Sequence, residues 1–503
     1  MHYDVASKSY SVTFAGAPAG SETFAATTQD SSSKPGSAVY KKTDGSVGET
    51  LTLTSRSPSS GVAFDYVAAG SWWRNQQNGS GEDAFYQPFV YGFPTEASSV
   101  PRSGSAGYDI DVDGFIAFHN TAPRTATGSG KFNADFLSGL YSLNASVVEM
   151  SQATGSVLTT APLHAAGHLG ADGSFSGRIS YDNPDSAWVG TLNGSLYGPE
   201  GKEIGATFLV SGGDGDFAGS VIGAKNSSGV VANLALTNLL VPQQFTSRDV
   251  VLGEDILSVG APAMEHITYF AIGPDGGGSY QTVSGLTAGF TTADQVSAPG
   301  SPFNVYRKTT VAGDEEFDLF KPGTANDEVA LTYAGFGEWR LASPSDPSNP
   351  RQEFFTYGVV TPFWTMAAKT GTAQYTGVVH GGGAVQSTSI RYNLFGTAAY
   401  SVNFSSNSYT GSLAIKGVDA SGGVRDFGLF DVHGIPLGAN GGNSYPLGDF
   451  ADTTQNGAFV GQISNRFFGP DGEEMAGVFN LTVGGNSGPP KINLTGVAVA
   501  KRN

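Results

Sequence analysis

Cysteine is absent from this chain of 503 residues, so no disulfide, thiolate metal site or cysteine nucleophile enters its chemistry. That absence says nothing about compartment, because a stable barrel needs no staple. Charge is scarce as well: Asp, Glu, Lys and Arg together make up 14% of the chain, against about a quarter in ordinary globular proteins. Basic residues are the scarcer sign, 26 against 44 acidic ones. The resulting net charge of −18 excludes a nucleic-acid binder, which needs a basic footprint to neutralise phosphates. It also argues against adsorption to an anionic lipid surface. Long hydrophobic runs are missing too. The longest nearly apolar stretch, Val230–Pro242, is interrupted by Asn233, Thr237 and Asn238 and is too short to span a bilayer. No charged segment followed by an apolar one opens the chain. Met1 runs straight into strand-like sequence at His2–Phe14, as expected of a start placed after a removed export segment, with a cytoplasmic protein as the alternative.

What the chain has instead is glycine, 71 residues or about twice the usual share, with 32 Phe and 20 Tyr. That mixture suits many short strands joined by tight turns. It also has a duplication. Ala187–Phe208 reads AWVGTLNGSLYGPEGKEIGATF and Ala458–Phe479 reads AFVGQISNRFFGPDGEEMAGVF; a shift of 271 residues (187 to 458) aligns all 22 positions, eight of them identical. Val39-Tyr40-Lys41-Lys42-Thr43 returns as Val305-Tyr306-Arg307-Lys308-Thr309, Tyr66 and Trp72 return as Tyr333 and Trp339, and Tyr91-Gly92 returns as Tyr357-Gly358. Gly128, Phe136 and Tyr141 return as Gly396, Phe404 and Tyr409. One structural unit therefore occurs twice in tandem, and this is not a solenoid of short repeats.

Within each copy the period is two. Phe132, Ala134 and Phe136 alternate, then Tyr141, Leu143, Ala145 and Val147, split by a turn at Leu137–Leu140; Tyr400–Phe404 and Tyr409–Ile415 repeat the pattern around Ser405–Ser408. Each pair reads as an antiparallel hairpin. The switch of parity from Ile492 and Leu494 to Val497 and Val499 across Gly496 suggests a bulge. The expected fold class is all-β: tandem lobes, each a small antiparallel handle sheet plus an antiparallel barrel of about eight strands. The expected boundaries are residues 1–110 and 111–225 for the first handle and barrel, 226–269 for a connector, and 270–375 and 376–503 for the second handle and barrel. Within the connector, Leu239–Asp255 has a mixed pattern that leaves room for a short helix.

The runs Tyr197-Gly198-Pro199-Glu200-Gly201-Lys202-Glu203-Ile204-Gly205 and Phe468-Gly469-Pro470-Asp471-Gly472-Glu473-Glu474-Met475-Ala476-Gly477 resemble the last barrel hairpin of transferrin-binding protein B-like surface lipoproteins. Tyr357, Gly358, Thr370, Gly371, Thr372, Ala373 and Tyr375 look like that family's passage from handle to barrel; the first copy departs slightly, with Ser103-Gly104-Ser105-Ala106-Gly107-Tyr108. The resemblance covers nearly the whole chain outside the connector. It implies a bilobed, lipid-anchored protein of the bacterial surface and outer membrane. Such a protein captures a host protein or solute and hands cargo to a TonB-dependent outer-membrane transporter. The lipid anchor is implied by the family alone, since this chain holds no lipobox cysteine.

The Gly-Pro element itself needs no ligand: Pro then Gly sets a tight turn, and Glu203 and Glu474 are expected to bond nearby backbone amides or a basic side chain. Asp109-Ile110-Asp111-Val112-Asp113-Gly114 matches the start of a calcium loop, but the twelfth position is Asn120 and the aspartates alternate as a strand would. His164 and His168 share one face and lack a third ligand nearby, which reads as a solvated loop. No metal site and no cofactor are expected. There is no Gly-x-Ser-x-Gly elbow, phosphate loop or His-Glu-x-x-His motif. Aromatics and arginine that one copy has and the other lacks are the candidate partner-binding residues: Trp73, Arg74, Phe93, Phe363 and Trp364. The expected function is non-enzymatic surface capture, with a self-associating surface-layer or adhesin subunit as the alternative and a carbohydrate-active enzyme as a third reading.

Overall fold

Alternating apolar positions become strands in both lobes, and the chain divides into two units, Met1–Val231 and Ala232–Asn503. The structure, a computed structural model, describes residues 2–14, 20–33, 36–57, 63–78, 81–119, 121–183, 186–226, 233–252, 266–362, 365–366, 369–385, 388, 390–434, 447–451, 459–484 and 491–503.

In the first unit a three-stranded sheet (His2–Asp4, Ser9–Phe14, Gly20–Ala25) accompanies a four-stranded one (Ser37–Asp44, Val47–Thr54, Val67–Asn78, Gly81–Gly92). Val12 and Phe24 of the former join Tyr40, Leu51, Leu53 and Trp72 of the latter in one buried cluster. Eight strands, from Ser105–Phe118 to Gly215–Asn226, then close into a barrel by pairing the last strand with the first. A barrel of this size is just wide enough to be filled by side chains. Phe132 stacks on Tyr141 with 5.0 Å between ring centres, and Tyr181 meets Phe217 edge-on at 5.1 Å.

The second unit repeats the barrel, from Thr372–Val385 to Ile492–Arg502. Its handle differs. A single sheet of nine strands runs in the order Thr287–Phe290, Gly278–Gln281, His266–Ile272, Gln243–Val251, Asp346–Gly358, Ala334–Ser343, Gly313–Phe320, Phe303–Thr310, Gln295–Val296. Gln243–Val251 joins the two halves, pairing with His266–Ile272 on one edge and Asp346–Gly358 on the other.

The all-β architecture of tandem lobes, each with an antiparallel handle sheet and a barrel, is as expected; in the second handle the joining strand welds into nine strands two sheets that stay separate in the first unit. Three expectations change. The strand lies where a connector with a short helix was expected. Ser247, Arg248 and Asp249 are all buried in it and break the apolar alternation that would have revealed it. No bulge occurs at Gly496: Ile492–Arg502 keeps unbroken register with both neighbours, from Val483↔Ile492 to Glu474↔Lys501 and from Val385↔Ile492 to Tyr375↔Arg502. Its residues Ile492–Ala500 are buried on both faces, one towards the barrel interior and one under the handle, so apolar residues of both parities are in place. Finally, His164 and His168 lie in the barrel strand Val157–Leu169, not in a loop.

Candidate functional site: the joint between sheet and barrel

Glu203 opens the barrel strand Glu203–Ser211, and its carboxylate accepts three backbone N–H bonds, from Asp65, Tyr66 and Val67, each at 2.8 Å. Glu474 opens Glu474–Val483 and accepts from Thr332 at 2.6 Å, Tyr333 at 2.9 Å and Ala334 at 2.8 Å. Each glutamate thus pins the first residues of a handle strand to the barrel. Charge-assisted bonds of this kind are roughly twice as strong as neutral ones. Burial pushes the Glu474 carboxyl up, and the amides of Ala334, Thr332 and Tyr333 pull against it.

The rest of the joint is duplicated as faithfully. The Tyr108 hydroxyl donates to the Gly201 carbonyl at 2.6 Å, and Tyr375 to Gly472 at 2.7 Å. The Gly198 amide donates to the Phe93 carbonyl at 2.9 Å, and Gly469 to Val359 at 2.8 Å. Gly92 and Gly358 sit at φ of 151° and 144°, where a Cβ would lie 2.0 Å from the Tyr66 carbonyl oxygen and 2.1 Å from that of Tyr333. Only glycine fits that approach.

Beyond this lock the two joints diverge. In the second lobe a cavity of about 180 Å³ separates sheet and barrel. Arg340 fills one side: its Nη2 lies 2.6 Å from Asp318 Oδ2 and 2.6 Å from Glu316 Oε1, and its Nε 2.8 Å from Glu338 Oε1. Gln352 donates to Glu338 at 2.8 Å and accepts from Arg391 at 2.9 Å. Burial raises the Asp318 and Glu338 carboxyls, and Arg340 opposes both shifts. From the barrel, His380 projects against Phe336 at 5.5 Å and Phe303 at 5.1 Å, and shares a 2.7 Å hydrogen bond with Glu328.

The same positions in the first lobe hold other chemistry. Arg340 becomes Trp73, which packs edge-on against Phe115 at 4.3 Å and Tyr86 at 6.2 Å. Asp318, Glu338 and Phe336 become Thr52, Ser71 and Ala69, and His380 becomes Asp113. These line a smaller cavity of about 40 Å³ together with Asp111 and Ser220. Burial, with Asp113 nearby, pushes the Tyr86 phenol up.

Of the residues expected at a partner surface, Phe93 is 74% exposed, directly after the strand Gly81–Gly92 and beside the lock. Its counterpart Val359 packs against the handle core. Trp73 is half-buried in the joint just described, and Arg74, also half-buried, follows it in the strand. Phe363 and Trp364 lie outside the described residues. Trp72 and Trp339 are core. Asp109, Asp111 and Asp113 share one face of the strand Ser105–Phe118 and form no loop; Asp109 is ion-paired with Lys131. His164 Nδ1 lies 2.7 Å from Asn144 Oδ1. Among the described residues no group of three or more His, Cys, Asp or Glu is placed to hold a metal. The Arg340 cluster and the hydroxyls around Asp113 escaped the sequence reading because their members come from strands far apart in the chain.

Fold and joint together define a class: a two-lobed, all-β protein in which each lobe locks a handle sheet onto an eight-stranded barrel. No protein-family model matches the sequence, and no curated protein matches it. Among solved structures it is similar to a double mutant of transferrin-binding protein B from Haemophilus parasuis Hp5, at 15% identity over 90% of this chain and 85% of that one, with a TM-score of 0.31. It is also similar to isotype 1 transferrin-binding protein B from serogroup B Neisseria meningitidis, at 16% identity over 88% and 86%, with a TM-score of 0.27. These belong to the family whose hairpin the two Gly-Pro turns resemble.

Proposed function

We propose that this chain is a non-enzymatic binding protein of the bacterial cell surface, which captures a protein or solute and passes cargo to a TonB-dependent outer-membrane transporter. The observation that carries the reading is how the shared residues are used. Glu203 and Glu474, the carboxylates that both copies have in common, each accept three backbone amides and hold the joint together. A carboxylate engaged in this way is a fastener and not a general acid or base. What differs between the lobes is left for recognition, and Phe93 is the candidate anchor that stands free of the core.

The test uses the full chain. Sedimentation is expected to show a monomer, and immobilised protein is expected to retain a purified bait or transporter without turnover. Phe93→Ala should weaken that capture at least about thirtyfold, the equivalent of about 2 kcal/mol for an interface anchor. Concentration-dependent polymerisation would make the chain a surface-layer subunit instead. Hydrolysis of a glycoside panel would make it an enzyme.

A further inference from the structure

The cavity between sheet and barrel in the first lobe is lined by Ala69, Gly70 and Ile222 and by six side chains that carry oxygen. Thr52 comes from the strand Val47–Thr54 together with Thr54, Ser71 from Val67–Asn78, Asp111 and Asp113 from Ser105–Phe118, and Ser220 from Gly215–Asn226. Asp111 is only 5% exposed, and its Oδ1 has no hydrogen-bond partner. A buried carboxylate oxygen left in this state is costly. Among the described residues no Lys, Arg or His lines the cavity. Lys131, opposite Asp109 on the neighbouring barrel strand, is committed to Asp109, one residue pair further along. In the second lobe the equivalent cavity also has a partnerless oxygen, Asp318 Oδ1, but Asp318 Oδ2 is paired with Arg340, and His380 stands where the first lobe has Asp113. The second copy therefore supplies its own cation, Arg340, and the first has none in its lining.

We infer that the first lobe's cavity is a site for a hard divalent cation of calcium's class, held by Asp111 and Asp113 with hydroxyl oxygens of Thr52, Thr54, Ser71 and Ser220. Side chains at i and i+2 of a strand share a face about 7 Å apart along the chain, so an ion between them can reach both carboxylates. The space of about 40 Å³ is large enough to admit an ion. Calcium takes six to eight oxygen ligands in flexible geometry, mixing carboxylates, neutral oxygens and water, whereas zinc prefers the nitrogen and sulfur ligands that this cavity lacks. Asp113 is exposed to solvent, which gives the ion a way in.

Equilibrium dialysis of the EDTA-stripped full chain against radioactive calcium tests the assignment. One ion per chain is expected, with a dissociation constant of about 10⁻⁴–10⁻³ M, the range of extracellular calcium modules. Asp113→Asn should weaken binding at least about tenfold, and Asp111→Asn with Asp113→Asn should abolish it. Asp109→Asn should leave it unchanged. Calcium should raise the melting temperature of the wild type and leave that of the double variant where EDTA leaves it. Absence of bound calcium on the wild-type chain overturns the inference whether or not any variant folds. So does calcium retained by the double variant, and so does binding that 150 mM sodium chloride abolishes, which would make it screened surface association and not coordination.

Discussion

The two lobes hold sheet to barrel with the same fastening and fill the space beneath it with opposite chemistry. At the fastening, Glu203 and Glu474, Tyr108 and Tyr375, and Gly92 and Gly358 make matching contacts. A few residues away, Trp73, Tyr86 and Phe115 form an aromatic contact in one lobe where Arg340 and its carboxylates form an ionic one in the other. The difference teaches that duplication has preserved the backbone path and released the joint's interior, which no longer has to be symmetric once the lock carries the alignment.

Substitution at the paired position Trp73/Arg340 should break the comparison most sharply. Arg340→Ala leaves Glu316, Asp318 and Glu338 close together without their guanidinium, and the second lobe should lose about 3 kcal/mol at pH 8, the lower end for breaking a buried ion pair. Much of that loss should return at pH 5 as the carboxyls take up protons. Trp73→Ala removes apolar contact only and should cost about 2–3 kcal/mol at either pH, below the usual range for a fully buried Trp because this one is half-exposed. Urea unfolding at the two pH values distinguishes them; equal pH dependence would erase the contrast.

The lock should behave identically in both lobes. Glu203→Gln and Glu474→Gln each keep one acceptor oxygen, lose the charge and turn an amide donor towards backbone N–H groups. Each should cost its own lobe about 1.5–3 kcal/mol, the scale of hydrogen bonds to a charged group. The two lobes can be scored separately if, as the division between Val231 and Ala232 suggests, a chain cut there yields two pieces that each melt cooperatively.

A graded effect, spread over several pH units, should come from the weld in the second handle. Asp249 is fully buried, with Thr268 and Tyr280 donating to it at 2.8 Å and Ser247 at 3.4 Å; Tyr280 also lies 2.9 Å from Glu353, which is bonded to Arg351. Burial pushes Asp249 up to about 7 from an ordinary value of 3.8. A raised carboxyl contributes stability that is complete below the unfolded pKa and is lost as pH rises through the folded one. The second lobe should therefore gain stability as pH falls from about 8 towards 4, by at most about 1.4 kcal/mol per pH unit from this group. Asp249→Asn should flatten the profile, and an unchanged slope would remove Asp249 as its source. Phe93→Ala is expected to have the smallest effect on stability, within about 0.5 kcal/mol for an exposed side chain, so that any loss of capture it causes belongs to recognition.

Much of this was legible from local pattern. The Gly-Pro turns, the alternation of Phe132–Phe136 and Tyr141–Val147, and the pairing of Tyr66 with Tyr333 gave the lobes and their barrels, because period and turn chemistry are local signals. The acceptor role of Glu203 and Glu474 could be anticipated from the turn, but the amides they hold are well over a hundred residues away in sequence. Gln243–Val251 was not legible, since a strand that buries Ser247, Arg248 and Asp249 carries no alternation. Gly496 misled because a strand covered on both faces imitates a change of register. Asp111 and Asp113 were visible as acidic residues, yet Thr52, Ser71 and Ser220 meet them only through the fold.

The joining strand also sets a timetable for folding. Arg248 pairs with Thr356, so this strand must wait 108 residues (248 to 356) for the neighbour that completes its second edge. The first lobe's three-stranded sheet closes between strands only a few residues apart. Contacts so distant in sequence form late and slowly, because loop closure precedes any reward from pairing. As the polypeptide emerges from its N-terminal end, the first lobe can be complete while the second still presents an unpaired strand edge. In that interval, the unpaired edge of the welded sheet is open to aggregation.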